Sequence, residues 1–162
     1  MPHTVFLAFG SNVGDKVANI HQAIQLLQPQ VNHLQRGQLY ETKPVGYLQQ
    51  DNFVNTAAVG ETELNPIELF QFVKDIEQKV GRIKRFRWGP REIDIDLLFY
   101  DDRVADDEVL TLPHPRLHQR DFVLRPLLDI APDFRHPVLQ KTIRELLVDL
   151  PPTDHSVLNK LG

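Results

Sequence analysis

The chain has 162 residues, 41% of them hydrophobic, enough to bury one sizeable core and hence to form one globular domain over residues 1–162. Twenty-two acidic against 18 basic residues give a formal charge of −4, which excludes a chain-wide nucleic-acid or anionic-membrane surface and leaves room only for a local basic site. Cysteine is absent, the start MPHTVFLAFGSN lacks a charged stretch followed by a signal-length apolar run, and no apolar run approaches the roughly 20 residues of a spanning helix, so a cytoplasmic protein is expected.

Val5 to Phe9 is a continuous apolar run closed by Gly10-Ser11-Asn12, the pattern of a buried strand entering a tight loop. The glycines at 10 and 14 lack both a P-loop lysine and the dinucleotide pattern, so the loop reads as a structural turn. Asp15 can cap a helix in which Val17, Ile20, Ile24 and Leu27 recur until Pro29. Gln38 to Thr42 suits a strand, Lys43-Pro44-Val45-Gly46 must turn, and Asn52 to Glu61 alternates as a further strand. Asn65, Pro66 and Glu68 form an N-terminal signature for a helix with the stripe Leu69, Val73, Ile76 and Val80, and Gly81 is its expected stop. Glu92 to Tyr100 alternates: Ile93, Ile95, Leu97 and Phe99 take one face, Asp94, Asp96, Leu98 and Tyr100 the other. Val104 to Leu112 suggests a hairpin around Asp106-Asp107, and Pro113-His114-Pro115 cannot be regular. Two helices are predicted over Phe122 to Ile130, with Pro126 near its start, and over Leu139 to Leu150; a loose tail follows from Pro151. No repeat or linker interrupts this alternating α/β layer pattern.

Five of the 18 basic residues, Arg82, Lys84, Arg85, Arg87 and Arg91, fall in one Gly- and Pro-containing loop with no acid among them. Guanidinium groups suit phosphate because they donate paired hydrogen bonds and stay charged when partly buried. Taken alone, the run also fits a solvated basic loop offsetting nearby acids. The aspartates that follow change the balance. Residues two apart on a strand share a face with Cα atoms about 6.6–6.8 Å apart, and at an effective dielectric of about 20 two such charges repel by roughly 2–3 kcal/mol. Some cation must offset Asp94 and Asp96. Arginines could do so in a structural network, or magnesium could be held by the carboxylates together with substrate phosphates. Arginines and paired carboxylates together point to metal-bound polyphosphate chemistry.

Arg87-Trp88-Gly89-Pro90-Arg91-Glu92-Ile93-Asp94-Ile95-Asp96-Leu97-Leu98 resembles the signature of the 6-hydroxymethyl-7,8-dihydropterin pyrophosphokinase family. Phe6 to Asn12, Tyr40 to Gly46, Phe53 to Ala58, Ile76-Glu77 with Gly81-Arg82, and Leu112 to Pro115 with Arg120-Asp121-Phe122 resemble further blocks of that family in the same order. The resemblance implies a ferredoxin-like three-layer α/β sandwich, its central mostly antiparallel sheet covered by helices on both faces. It implies transfer of the β,γ-diphosphate of ATP to the dihydropterin hydroxymethyl group, in folate biosynthesis, by a monomer. Asp94 and Asp96 would bind two Mg ions, and Arg82 and Arg91 would steady the transferring group. Glu77, Lys84, Arg85, Arg87, Trp88, Thr111, His114 and Arg120 would surround ATP. Phe53 and Phe122 would sandwich the pterin, Asn55 would bond its edge, and Thr42, Pro44 and Val45 would offer mainly backbone groups. Many members carry tyrosine where this chain has Phe53, so a hydroxyl contact is lost while the stacking face remains.

The same residues have plainer readings. Phe53 and Phe122 are of the type that fills cores, although Asn55 shares the strand face of Phe53. Glu77 by periodicity alone is an exposed helix residue. His114 and His118 have a zinc-like spacing but sit among prolines without a cysteine. The rival function is a non-catalytic nucleotide- or RNA-binding module built on the basic loop, since sheets bearing aromatics do bind bases. Paired acids beside the phosphates would gain such a module nothing.

Overall fold

A computed structural model of the protein describes residues 2–83, 85–87 and 89–161. The elements in chain order are β1 His3–Ser11, α1 Lys16–Leu27, β2 Val31–Arg36, β3 Leu39–Thr42, β4 Phe53–Thr62, α2 Pro66–Val80, β5 Asp94–Tyr100, the two-residue strands β6 Ala105–Asp106 and β7 Thr111–Leu112, α3 Asp121–Ile130, α4 Ile143–Asp149 and β8 Val157–Leu161. The main sheet runs β5-β1-β4-β3-β8, with β2 also paired to β4, and every pairing is antiparallel. Its centre is a βαββαβ unit, the ferredoxin-like arrangement. Val5, Leu7 and Phe9 point from β1 into a core closed by α1 and α2, while Phe6 and Ala8 point into a second core closed by α3 and α4. Three layers result, with apolar contacts on both sheet faces.

Local chemistry accounts for the helix limits. Asp15 accepts from the Ala18 N–H at the start of α1, and Asn65 and Glu68 form a reciprocal capping box on α2. Gly81 ends α2 at φ 112, a left-handed conformation that costs a glycine little and turns the chain back over the helix end.

Four expectations from the sequence are corrected. A register shift opposite Phe6 and Leu7 inserts Leu98 as an extra residue in β5, so Leu98 and Phe99 both join the α3/α4 core and Tyr100 joins the α1/α2 core. The helix expected from Leu139 starts instead at Ile143, because Thr142 and Glu145 form a capping box there. Pro126 lies in the middle of α3, where its ring removes the donor for the Phe122 carbonyl. The tail expected to be loose returns as β8 and pairs with β3, Leu39 opposite Leu161 and Thr42 opposite Val157. β2, which the sequence did not announce, is mostly exposed and irregular, with His33 at φ 56.

Candidate active site

The floor of the site is the α3-facing side of three strands. Gly10 of β1 lies opposite Asp94 of β5 on one side and opposite Asn55 of β4 on the other, and Ala8 lies opposite Asp96. Small residues in the middle strand leave a cleft of about 130 Å³ between the carboxylates and the Asn55 amide. Phe53 and Phe122 line it, as do Thr42, Val45 and Arg120. Asn55 is oriented from behind: Thr42 Oγ1 donates to its Oδ1 at 2.6 Å, and its Nδ2 donates to the Phe9 carbonyl at 3.4 Å. A Cβ on Gly10 would stand 2.7 Å from Asn55 Nδ2, so this glycine is required by close approach rather than by a turn. β1 in fact runs straight through it.

The two aspartates have different partners. Asp94 Oδ1 is 3.2 Å from Arg82 Nη1 and 3.3 Å from Arg91 Nη1. Asp96 has looser company, with Arg120 Nη1 and His114 Nε2 each 4.0 Å from its Oδ2. Burial, then the Asp94 charge, pushes the Asp96 carboxyl up to about 7, against the opposing pull of Lys74 and Arg120. Burial and the Arg120 charge hold His114 down to about 4. Its Nδ1 accepts the Arg116 N–H at 3.1 Å, which leaves the proton on Nε2, facing Asp96. A neutral imidazole cannot neutralise the acid.

The described residues contain no cluster of three or more His, Cys, Asp or Glu able to cage a metal. Two carboxylates on one face, one of them carrying a charge its surroundings do not balance, match a hard divalent ion that completes its shell with phosphate oxygens and water. On this ground the donor set fits magnesium. It does not fit zinc, because His114 is spent on Arg116 N and the Asp96 side, and His118 packs toward His136.

Beyond Arg91 the cleft adjoins a second cavity of about 410 Å³, lined by Lys74, Glu77, Arg82, Arg85 and Arg87. Glu77, expected to be exposed on helical periodicity, is buried: its Oε2 accepts the Ile95 N–H at 2.8 Å and its Oε1 meets Arg82 Nη1 at 2.8 Å. Arg82 therefore bridges Glu77 to Asp94. Burial raises the Glu77 carboxyl, with Lys74 opposing. Arg85 is held by Glu92 in a fork of 2.9 and 2.7 Å, which is the main reason the Glu92 carboxyl falls to about 2. The Arg87 carbonyl accepts from Arg91 Nη2.

A family model described as 7,8-dihydro-6-hydroxymethylpterin-pyrophosphokinase (HPPK) matches residues 6–132. The chain belongs to this family. It is 44% identical over 142 residues to the 2-amino-4-hydroxy-6-hydroxymethyldihydropteridine pyrophosphokinase of Aquifex aeolicus, spanning 88% of this chain and 89% of that one. It is also 44% identical to the folic acid synthesis protein FOL1 of Dictyostelium discoideum, but there the match takes in 91% of this chain and only 22% of the relative. The fold resembles wild-type Plasmodium falciparum HPPK-DHPS with pterin and p-hydroxybenzoate, at a TM-score of 0.72 and 19% identity, over 91% of this chain and 42% of that one.

Set against the HPPK resemblance, the structure brings together Arg82, Arg91, Asp94, Asp96, Glu77, Arg120 and His114 on one side and Thr42, Val45, Phe53, Asn55 and Phe122 on the other. Pro44 is buried beside the cleft without lining it. Thr111 stands apart: its hydroxyl donates to Asp106, and it lines a shallow groove on the far side of His114. Lys84 and Trp88 lie outside the described residues. Sequence reasoning missed two supports of this HPPK site. Asn12, read as part of a turn, donates to Gln50 Oε1 and the Asp51 carbonyl and accepts the Arg91 N–H, tying the segment before β4 to the arginine loop. Lys74 flanks Glu77 at 3.3 Å; its place beside Glu77 on the turn above was the only available signal.

Proposed function

We propose that the chain transfers the β,γ-diphosphate of ATP to the hydroxymethyl group of 6-hydroxymethyl-7,8-dihydropterin, giving AMP and the dihydropterin diphosphate in folate biosynthesis. In this reading residues 1–162 act as one magnesium-dependent domain, monomeric and cytoplasmic. The observation that carries it is the row Asp94–Gly10–Asn55 across adjacent strands, which sets a carboxylate pair and a ring-reading amide at the two ends of one cleft, beside an arginine-lined cavity.

Phe53 and Phe122 offer apolar faces to a flat heterocycle, and Asn55, its carbonyl fixed by Thr42, turns its remaining amide capacity to the polar edge. Magnesium held by Asp94 and Asp96 would supply positive charge to the phosphate oxygens and offset the carboxylate repulsion. Arg82 and Arg91, already aimed at Asp94, take up charge on the transferring group, and Glu77 keeps Arg82 from swinging out. Arg120 lies over the Phe122 ring, 5.6 Å from its centre, and so stands between the nucleotide phosphates and the pterin. Arg85 reaches ATP only by leaving Glu92. Lys84, Arg87, Trp88, Thr111 and His114 complete the nucleotide side of the proposal.

Incubation with ATP, magnesium and 6-hydroxymethyl-dihydropterin tests it. AMP should appear in step with pterin diphosphate. ADP as the main product would refute diphosphate transfer, and tight RNA or nucleotide binding without turnover would favour the binding-module alternative.

A further inference from the structure

The family match stops at residue 132, yet the sheet edge beside the aromatic cleft is built by β8, well beyond it. Besides its pairing with β3, β8 is anchored at its start by one buried carboxylate. Asp121, the first residue of α3, is 1% exposed. Its Oδ1 accepts from Ser156 Oγ at 2.7 Å, and its Oδ2 accepts the N–H groups of Ser156 and Val157 at 2.8 and 2.9 Å. A buried carboxylate persists only when such donors satisfy it, and the three bonds together latch the start of β8 to the start of α3.

We propose that Asp121 and Ser156 are positioning residues for pterin binding, fixing the separation of the Phe122 and Phe53 rings and the orientation of Asn55. The inference rests on the pterin reading of the cleft given above. Two lines of contact lead from the latch to that cleft. Through the chain, Asp121 sits between Arg120, which faces Asp96, and Phe122, one of the aromatic walls. Through β8, the Ser156 carbonyl accepts the Lys43 N–H at 2.9 Å and Val157 stands in register with Thr42. Thr42 in turn lies opposite Phe53 and holds Asn55 by its hydroxyl. Both walls and the amide therefore refer back to one carboxylate. At its other end α3 is tied to β3 separately, where Asp129 Oδ2 accepts Tyr40 Oη at 2.8 Å and the Gln38 N–H at 3.0 Å. This second tie fastens α3 to β3 instead of β8, through side chains that do not line the cleft, which makes it an internal control.

The experiment uses the full chain with Ser156→Ala, Ser156→Thr, Asp121→Asn and Tyr40→Phe, each measured for Tm, for both KM values and for kcat. Ser156→Ala strips one oxygen of a buried carboxylate of its hydroxyl donor. It should raise KM for the pterin by about five- to tenfold, because misplaced walls forfeit about one hydrogen bond's worth of pterin contact, while KM for ATP stays within about twofold. Ser156→Thr, which keeps the hydroxyl, should restore it. Asp121→Asn should move the pterin KM in the same direction as Ser156→Ala. Tyr40→Phe should lower Tm without shifting the pterin KM. An unchanged pterin KM in Ser156→Ala, whatever its Tm, overturns the proposal, and so does an equal rise in Tyr40→Phe. If the wild-type protein makes no AMP from ATP and the pterin, the pterin reading itself fails; if it does and Ser156→Ala matches it, only the latch fails.

Discussion

Gly10→Ala should separate pterin recognition from folding. The added Cβ would stand 2.7 Å from Asn55 Nδ2 and 3.7 Å from a Phe53 ring carbon, the first about 0.8 Å inside ordinary van der Waals contact. Asn55 cannot simply slide away, because its carbonyl is held at 2.6 Å by Thr42 and its amide by the Phe9 carbonyl. Relief requires the amide to leave the cleft edge. That forfeits one or two hydrogen bonds to the pterin, about 1–3 kcal/mol and so ~5- to 150-fold in KM. Stability should move far less. Gly10 is an in-strand residue outside the left-handed region, so alanine gains about 0.5–1 kcal/mol by restricting the unfolded chain while losing about the same through the Thr42 bond. The shift in Tm should then stay within about 4 °C. Steady-state kinetics with each substrate varied, alongside thermal melts, give both quantities. A pterin KM within about twofold of wild type would refute the close-approach reasoning, since the loss of even one hydrogen bond exceeds that.

Asp96→Asn should cut AMP formation by about 100-fold or more, measured with saturating substrates. Because the Asp96 carboxyl is raised from 3.8 to about 7, the metal-free folded protein binds a proton that the unfolded chain has already released between those values. Wild-type stability should therefore fall as pH climbs through that window, and the asparagine variant should escape the fall, in melts with chelator. Parallel curves would count against the raised carboxyl. Magnesium affinity of the wild type should weaken below pH of about 7, because the ligand must be ionised; isothermal titration at two pH values checks this. Arg82→Ala, which removes the bridge between Glu77 and Asp94, should lower kcat by about 100- to 1,000-fold and leave pterin affinity near wild type in a fluorescence titration. Phe53→Leu should raise the pterin KM by roughly tenfold through loss of a stacking face, with little effect on the KM for ATP.

Much of this was legible before any coordinates. Asn65, Glu68 and Gly81 announced both ends of α2 because capping is local chemistry, and the Asp94/Asp96 pair was readable because a two-residue period needs no tertiary knowledge. Residues whose state depends on distant partners were not. Glu77 sits on a helix turn that looks polar, and only the Ile95 N–H, contributed by another element, explains its burial. Ser156 and Val157 follow prolines and look loose until Asp121, 35 residues away, is brought beside them. Arg85 lies in a run without acids, so its fork with Glu92 shows only once the loop folds back. The phase of β5 failed after Leu97 for a related reason, since an inserted residue in a pairing leaves no mark on hydrophobicity.

That inserted residue divides the strand's duties. Up to Leu97 the side chains alternate in phase with β1 and deliver both acids to the cleft; past Leu98 the alternation restarts, with Phe99 packing under α3 and α4 and Tyr100 under α1 and α2. Since a one-residue slip in a sheet reverses every side chain, a lengthening or shortening of the hairpin that follows can be absorbed at this point. The carboxylate-bearing end keeps its orientation while a change of length is taken up beyond it.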